Sequence, residues 1–115
     1  MPYVHVQTSF PVGEPARDQL LTALSSLVAR TLGKPEQYVM VSLSQAAMRL
    51  GGEAGPAAFC DVRSIGGLSA GTCNQLSSGV CALLKEKIGV TPDRVFLNFA
   101  EVEAGRWGWN GETFG

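Results

Sequence analysis

Charge is scarce in this chain. Lys, Arg, Asp and Glu make up 17% of its 115 residues, against roughly a quarter in typical soluble domains. Less of the surface is charged than a lone monomer usually carries, so part of it reads as an oligomer interface. Histidine is nearly missing, with His5 alone, and the three cysteines are Cys60, Cys73 and Cys81. The cysteines are odd in number and show neither a CxxC pair nor a metal-ligand spacing, so they read as structural thiols and no metal is expected. A Ser-His-Asp or Cys-His device would need His5 to fill every histidine role from inside an alternating strand. His5 therefore reads as a sheet residue whose ring nitrogens find hydrogen-bond partners.

Other absences narrow the function classes. No stretch clusters Lys and Arg, and the net charge is −1, so a nucleic-acid backbone meets no electrostatic footprint. No segment approaches the roughly 18 uninterrupted apolar residues of a membrane span. The first residues also lack the basic stretch and apolar run of a signal peptide. These features predict a cytoplasmic protein with neither nucleic acid nor membrane as partner, with secretion by a route that needs no signal peptide left open.

What is present is a chain written twice. The length suits one domain over residues 1–115. Pro2 to Thr8 alternates β-branched and aromatic residues with polar ones and reads as a strand. After a connection carrying Pro11, Gly13 and Pro15, the apolar positions Leu20, Leu24, Leu27, Val28 and Leu32 mark one face of a helix, which Gly33 and Pro35 stop. Tyr38 to Leu43 reads as a buried strand. The second half repeats the order: a strand over Ala57 to Ile65, Gly66-Gly67, a helix striped by Leu76, Val80, Leu83, Leu84 and Ile88 with Cys73, then Gly89 and a strand from Arg94 to Phe99. Both junctions carry Gly, Pro, an acidic residue, a polar residue and then apolar ones.

Crossover helices of this length make each half a βαβ unit with parallel strands, and two units give an α/β (α+β) domain with one four-stranded sheet and both helices on one face. Tyr38 to Leu43 and Val95 to Phe99 carry apolar residues on both faces, which predicts an apolar uncovered face and self-association. Asn110-Gly111 is a strong hairpin signal. The hairpin either folds on its own domain or pairs with a neighbouring subunit.

The start of the chain is the most informative segment. Met1 is commonly trimmed before proline, and trimming would turn Pro2 from an amide into a secondary amine able to accept a proton. Burial beside a cation lowers the pKa of such an amine towards neutral pH, where a general base works best. Many chains begin Met-Pro without catalytic consequence, so this reading leans on context.

That context resembles the macrophage migration inhibitory factor family of the tautomerase superfamily, end to end. The resemblance rests on Met1-Pro2, Thr8 with Pro11, Leu32-Gly33-Lys34-Pro35 followed by Tyr38, and Ser64-Ile65-Gly66. It continues through Thr91-Pro92-Asp93-Arg94-Val95 with Asn98, and Gly108-Trp109-Asn110 with Thr113-Phe114. The resemblance implies a homotrimer whose sheets enclose a central channel, with three active sites at subunit interfaces. It implies Pro2 as catalytic base, Lys34 as the attractor of a substrate carboxylate, and Ile65 as a pocket residue with a helpful backbone amide. Asn98 would arrive from the adjacent subunit. Tyr3, Tyr38, Phe96, Trp107, Trp109 and Phe114 would form an aromatic wall. The implied reaction is keto-enol tautomerisation of a 2-oxo acid such as phenylpyruvate, with no cofactor. The other implied reading is a cytokine-like trimer that presents a surface to a receptor and keeps a vestigial pocket.

Each of these residues also has a plainer role. Lys34 beside a helix end favours the negative pole of the helix dipole. Trp107, Trp109 and Phe114 would form an apolar interface cluster in any trimer. Asn98 in an apolar strand needs partners, which an interface could supply. Three positions depart from the best-known members: Phe96 replaces a tyrosine, Trp107 a smaller apolar residue, and Ala57 one thiol of a CxxC. The last removes the chemical means for thiol-disulfide exchange of that kind.

Overall fold

Two strand-helix-strand units build the domain, and the computed structural model describes all of residues 1–115. The first comprises β1 (Pro2–Thr8), α1 (Ala16–Leu32) and β2 (Met40–Gln45). The second comprises β3 (Ala58–Ser64), α2 (Ala70–Ile88) and β4 (Val95–Glu101), and a short hairpin of β5 (Gly108–Trp109) and β6 (Glu112–Thr113) closes the chain. Strands within each unit are parallel, β1 with β2 and β3 with β4. The units join through the antiparallel pair β1 and β3, giving the order β2-β1-β3-β4. The two innermost strands thus come from different halves, and one connection suffices to make a single sheet.

Alternation sets the two faces. Val4, Val6 and Thr8 of β1 and Ala58, Cys60, Val62 and Ser64 of β3 are buried on the helix side. Leu20, Leu24 and Val28 of α1 and Leu76, Val80, Leu84 and Ile88 of α2 meet them. Each such aliphatic side chain contributes about 1.5–3 kcal/mol when fully buried. The helices also pack on each other closely: a Cβ added at Gly79 would lie 3.0 Å from both terminal methyls of Leu27. Glycine here lets the helix backbones approach.

The helix ends follow from their caps. Gly33, at φ 65, and Gly89, at φ 74, take the left-handed conformation that closes a C-terminus. Ser69 caps α2, its Oγ accepting from the Thr72 N–H at 3.2 Å.

Three expectations need correction. The strand expected over Tyr38 to Leu43 begins at Met40, because Glu36–Tyr38 forms a 3-10 turn; Arg94 likewise belongs to a 3-10 turn, Pro92–Arg94. Proline at the start of each turn tightens the chain before the strand begins. β2 is also not buried, being an edge strand with Met40 65% exposed. Finally, the uncovered face is mixed rather than apolar. Register places His5 and Gln7, Ser42 and Ser44, Asp61 and Arg63, and Asn98 there beside Tyr3, Phe59 and Phe96. Apolar residues adjacent in sequence were divided between two faces by the pleat.

The closing residues pair with each other, β5 with β6, as a hairpin. Asn110 at φ 53 and Gly111 at φ 84 form a two-residue turn with both residues left-handed, the geometry that matches strand twist. Arg94 fastens the connection between the two units. Its guanidinium donates to the carbonyls of Pro56, Glu53, Gly55 and Leu50 at 3.1–3.4 Å.

Candidate active site

Pro2 opens β1 and sits opposite Ser64, the last residue of β3, in the antiparallel register. Anchoring on both sides by β2 and β3 holds this end of the chain in place. Pro2 is fully buried against the helix layer. Its neighbours Met1 and Tyr3 share with it a cavity of about 490 Å³. With Met1 attached, the basic nitrogen belongs to Met1, and that of Pro2 is an amide.

The chain folds back twice to wall this cavity. The turn after α1 brings Gln37, Tyr38 and Val39, and the start of β2 brings Met40. The C-terminal segment adds Val102, Arg106, Trp107, Trp109 and Phe114. Two hydrogen bonds set that segment against the sheet and itself. The Val102 N–H donates to the Ser64 carbonyl at 2.8 Å, and the Phe114 N–H to the Trp107 carbonyl at 3.1 Å. The aromatic rings then interlock: Tyr38 meets Trp109 edge to face at 5.7 Å, and Trp109 stacks on Phe114 at 6.1 Å. Such pairs favour offset or perpendicular geometry.

Charge in and around the cavity is positive. The terminal amine is pushed below its ordinary value of 8.0, chiefly by burial and then by the charge of Lys34. Arg63 of β3 lines the cavity and donates to Asp61 Oδ2 at 3.1 Å, and that bond holds its guanidinium further towards the charged form. No aspartate or glutamate is among the cavity's lining residues.

Of the residues singled out from sequence, Pro2, Tyr3, Tyr38, Trp107, Trp109 and Phe114 come together in this cavity. Lys34 follows the cap of α1 and acts on the terminal amine through its field rather than by lining the space. Ile65 directly follows Ser64 at the end of β3, half-buried. Phe96 and Asn98 lie exposed on β4, which β3 separates from β1, so in one chain they stand apart from the cavity. Sequence reading missed Arg63, Arg106, Gln37, Val39, Met40 and Val102. Arg63 was detectable as an odd position in the alternation of β3; Arg106 had only its place beside Trp107.

Two polar features flank the site. His5 is held by hydroxyls at both ring nitrogens, Nδ1 at 2.6 Å from Ser42 Oγ and Nε2 at 3.0 Å from Ser44 Oγ. Ser42 also lies 2.9 Å from the Tyr3 hydroxyl. This satisfies the histidine as a sheet residue. Ser64 is the exception, its buried Oγ finding no hydrogen-bond partner in the chain.

The family model described as macrophage migration inhibitory factor (MIF) matches residues 1–115. The macrophage migration inhibitory factor of Meriones unguiculatus is 33% identical over 115 residues, covering 99% of each chain. The crystal structure of a macrophage migration inhibitory factor homologue from Prochlorococcus marinus superposes with a TM-score of 0.94 at 39% identity, over 98% of this chain and 99% of that one. The macrophage migration inhibitory factor of Toxoplasma gondii superposes with a TM-score of 0.95 at 32% identity, over 97% and 99%.

Proposed function

Because the chain belongs to the macrophage migration inhibitory factor family of the tautomerase superfamily, we propose that it is a phenylpyruvate-type keto-enol tautomerase whose base is the Pro2 amine, freed by removal of Met1. Membership by itself supports a tautomerase-type function. The observation that carries the finer reading is the position of Pro2: it is buried beside an aromatic cavity, next to the Met1 amine that burial and Lys34 drive towards its neutral form, and removal of Met1 would leave the Pro2 amine at that end of the chain.

In this reading a 2-oxo acid enters with its carboxylate towards Lys34 and its side chain among Tyr38, Trp107 and Trp109. The neutral Pro2 nitrogen removes a proton from the carbon next to the ketone. The resulting enol or enolate is reprotonated on oxygen or carbon, so the reaction needs no net proton and no cofactor. General base catalysis contributes about 10²–10⁴-fold. Exclusion of water by the rings strengthens both the attraction of Lys34 for the carboxylate and its repulsion of the protonated amine.

The site is completed by neighbouring copies in a homotrimer. This assembly is favoured by the exposure of Phe96, Phe59 and Met40 at the sheet's edges and uncovered face, and by the distance of Asn98 from the cavity within one chain. The test pairs intact mass, to establish loss of Met1, with turnover of phenylpyruvate by the processed protein and by Pro2→Gly. A fall of at least about a hundredfold is expected. Equal turnover by the two would overturn the assignment.

A further inference from the structure

The cavity carries more positive charge than a monocarboxylate needs. On the reading above, Lys34 answers the carboxylate of a 2-oxo acid, and Arg63 is already engaged by Asp61 at 3.1 Å. Arg106 is different. It lines the same cavity, yet within its own chain takes part in none of the three ion pairs, and its side chain makes no hydrogen bond there. No carboxylate lines the cavity to neutralise it.

Its backbone is nevertheless well fixed. Arg106 ends a 3-10 turn, Ala104–Arg106, with its N–H donating to the Glu103 carbonyl at 2.9 Å. That turn lies between the Val102 bond to Ser64 and the Trp107 bond to Phe114. The next residue, Trp107, belongs to the aromatic wall. Arg106 thus stands on an anchored turn beside the aromatic wall, lining the cavity, and its guanidinium offers a planar fork of donors suited to a carboxylate. The space within one chain, about 490 Å³, falls within the range of sites for drug-sized ligands.

We infer that Arg106 forms a second anion subsite, and that the preferred substrate is a 2-oxo acid bearing a second carboxylate at the far end of its side chain. This rests on the tautomerase reading for the position of the reacting end. Arg106 is a specificity-determining residue here and takes no part in proton transfer.

The experiment compares phenylpyruvate with para-carboxyphenylpyruvate, which differ by one acidic group. The processed protein is expected to show a higher kcat/KM for the carboxylated compound, and Arg106→Gln to lower the ratio of the two about tenfold, with Arg106→Lys between. A ratio below one in the unaltered protein, or one that Arg106→Gln leaves unchanged, overturns the subsite. Calorimetric binding of cinnamate and 4-carboxycinnamate, which cannot be enolised, separates the two readings. Tighter binding of 4-carboxycinnamate that Arg106→Gln abolishes, with no turnover of either keto acid, sustains the subsite and sinks the tautomerase assignment. Turnover with equal binding does the reverse.

Discussion

Tyr38 and Trp109 meet edge to face with ring centroids 5.7 Å apart and planes at 86°. The contact joins the turn after α1 to the C-terminal hairpin, segments about seventy positions apart, and makes them one wall of the cavity beside Pro2. Trp109 is 55% exposed and lies outside the core. Trp109→Ala should therefore lower kcat/KM for phenylpyruvate about tenfold while changing stability by under about 1 kcal/mol. Steady-state kinetics and urea unfolding check both halves; a large loss of stability would mean that the hairpin is structural.

Lys34 should set the protonation of the terminal amine. Burial is the larger cause of the lowered pKa and Lys34 the second. In the chain that keeps Met1, Lys34→Gln is expected to move the amine's titration upward yet leave it below 8.0, as read by NMR titration of the terminal residue. A titration that stays put would show that Lys34 is too well screened to matter.

The same shift has a sign for stability. Between the lowered value and 8.0 the unfolded chain binds more protons than the folded one, so stability rises with pH across that window and is lost as pH falls through it. Lys34→Gln should flatten this slope. Unfolding midpoints measured at several pH values below 8 follow it directly.

Arg94 is the fastening of the inter-unit connection. Arg94→Ala leaves four carbonyls, those of Leu50, Glu53, Gly55 and Pro56, without their donor. A loss of about 1–3 kcal/mol is expected, since the carbonyls can turn to water at the surface. Hydrogen exchange should quicken over 50–57 and little elsewhere. Uniform quickening would show that the connection has no local opening of its own.

Cys60 should be inert in the folded protein. Burial, and then the neighbouring Cys81, push its thiol up to about 12 from 9.0, so thiolate is nearly absent at pH 8. An aromatic disulfide reagent is expected to leave Cys60 unmodified until the chain is unfolded. Because the folded thiol keeps its proton where the unfolded one loses it, stability falls as pH rises from 9.0 towards 12. Rapid labelling of Cys60 under native conditions would refute this.

Much of the fold was legible because periodicity records which side of an element is buried. The stripe Leu20, Leu24 and Val28, the stripe Leu76, Val80 and Leu84, and the alternation of β1 all fell where the core lies. Glycine at 33 and 89 marked the helix ends because only a left-handed residue closes them cheaply. Tyr38 was misplaced in a strand because its apolar neighbours read alike in a strand or a turn. The expected apolar sheet face failed for a related reason: a run of apolar residues does not say how the pleat will divide them.

The sequence by itself determined the duplicated units, the hairpin turn at Asn110-Gly111, and the family, since each depends on local order along the chain. Tertiary structure alone decided that Arg63 and Arg106 share a cavity with Pro2, that Lys34 acts on the Met1 amine through its field, and that Arg106 finds no partner within its own chain. Charge neutralisation and cavity walls are properties of residues brought together across the fold, and no spacing along one segment encodes them.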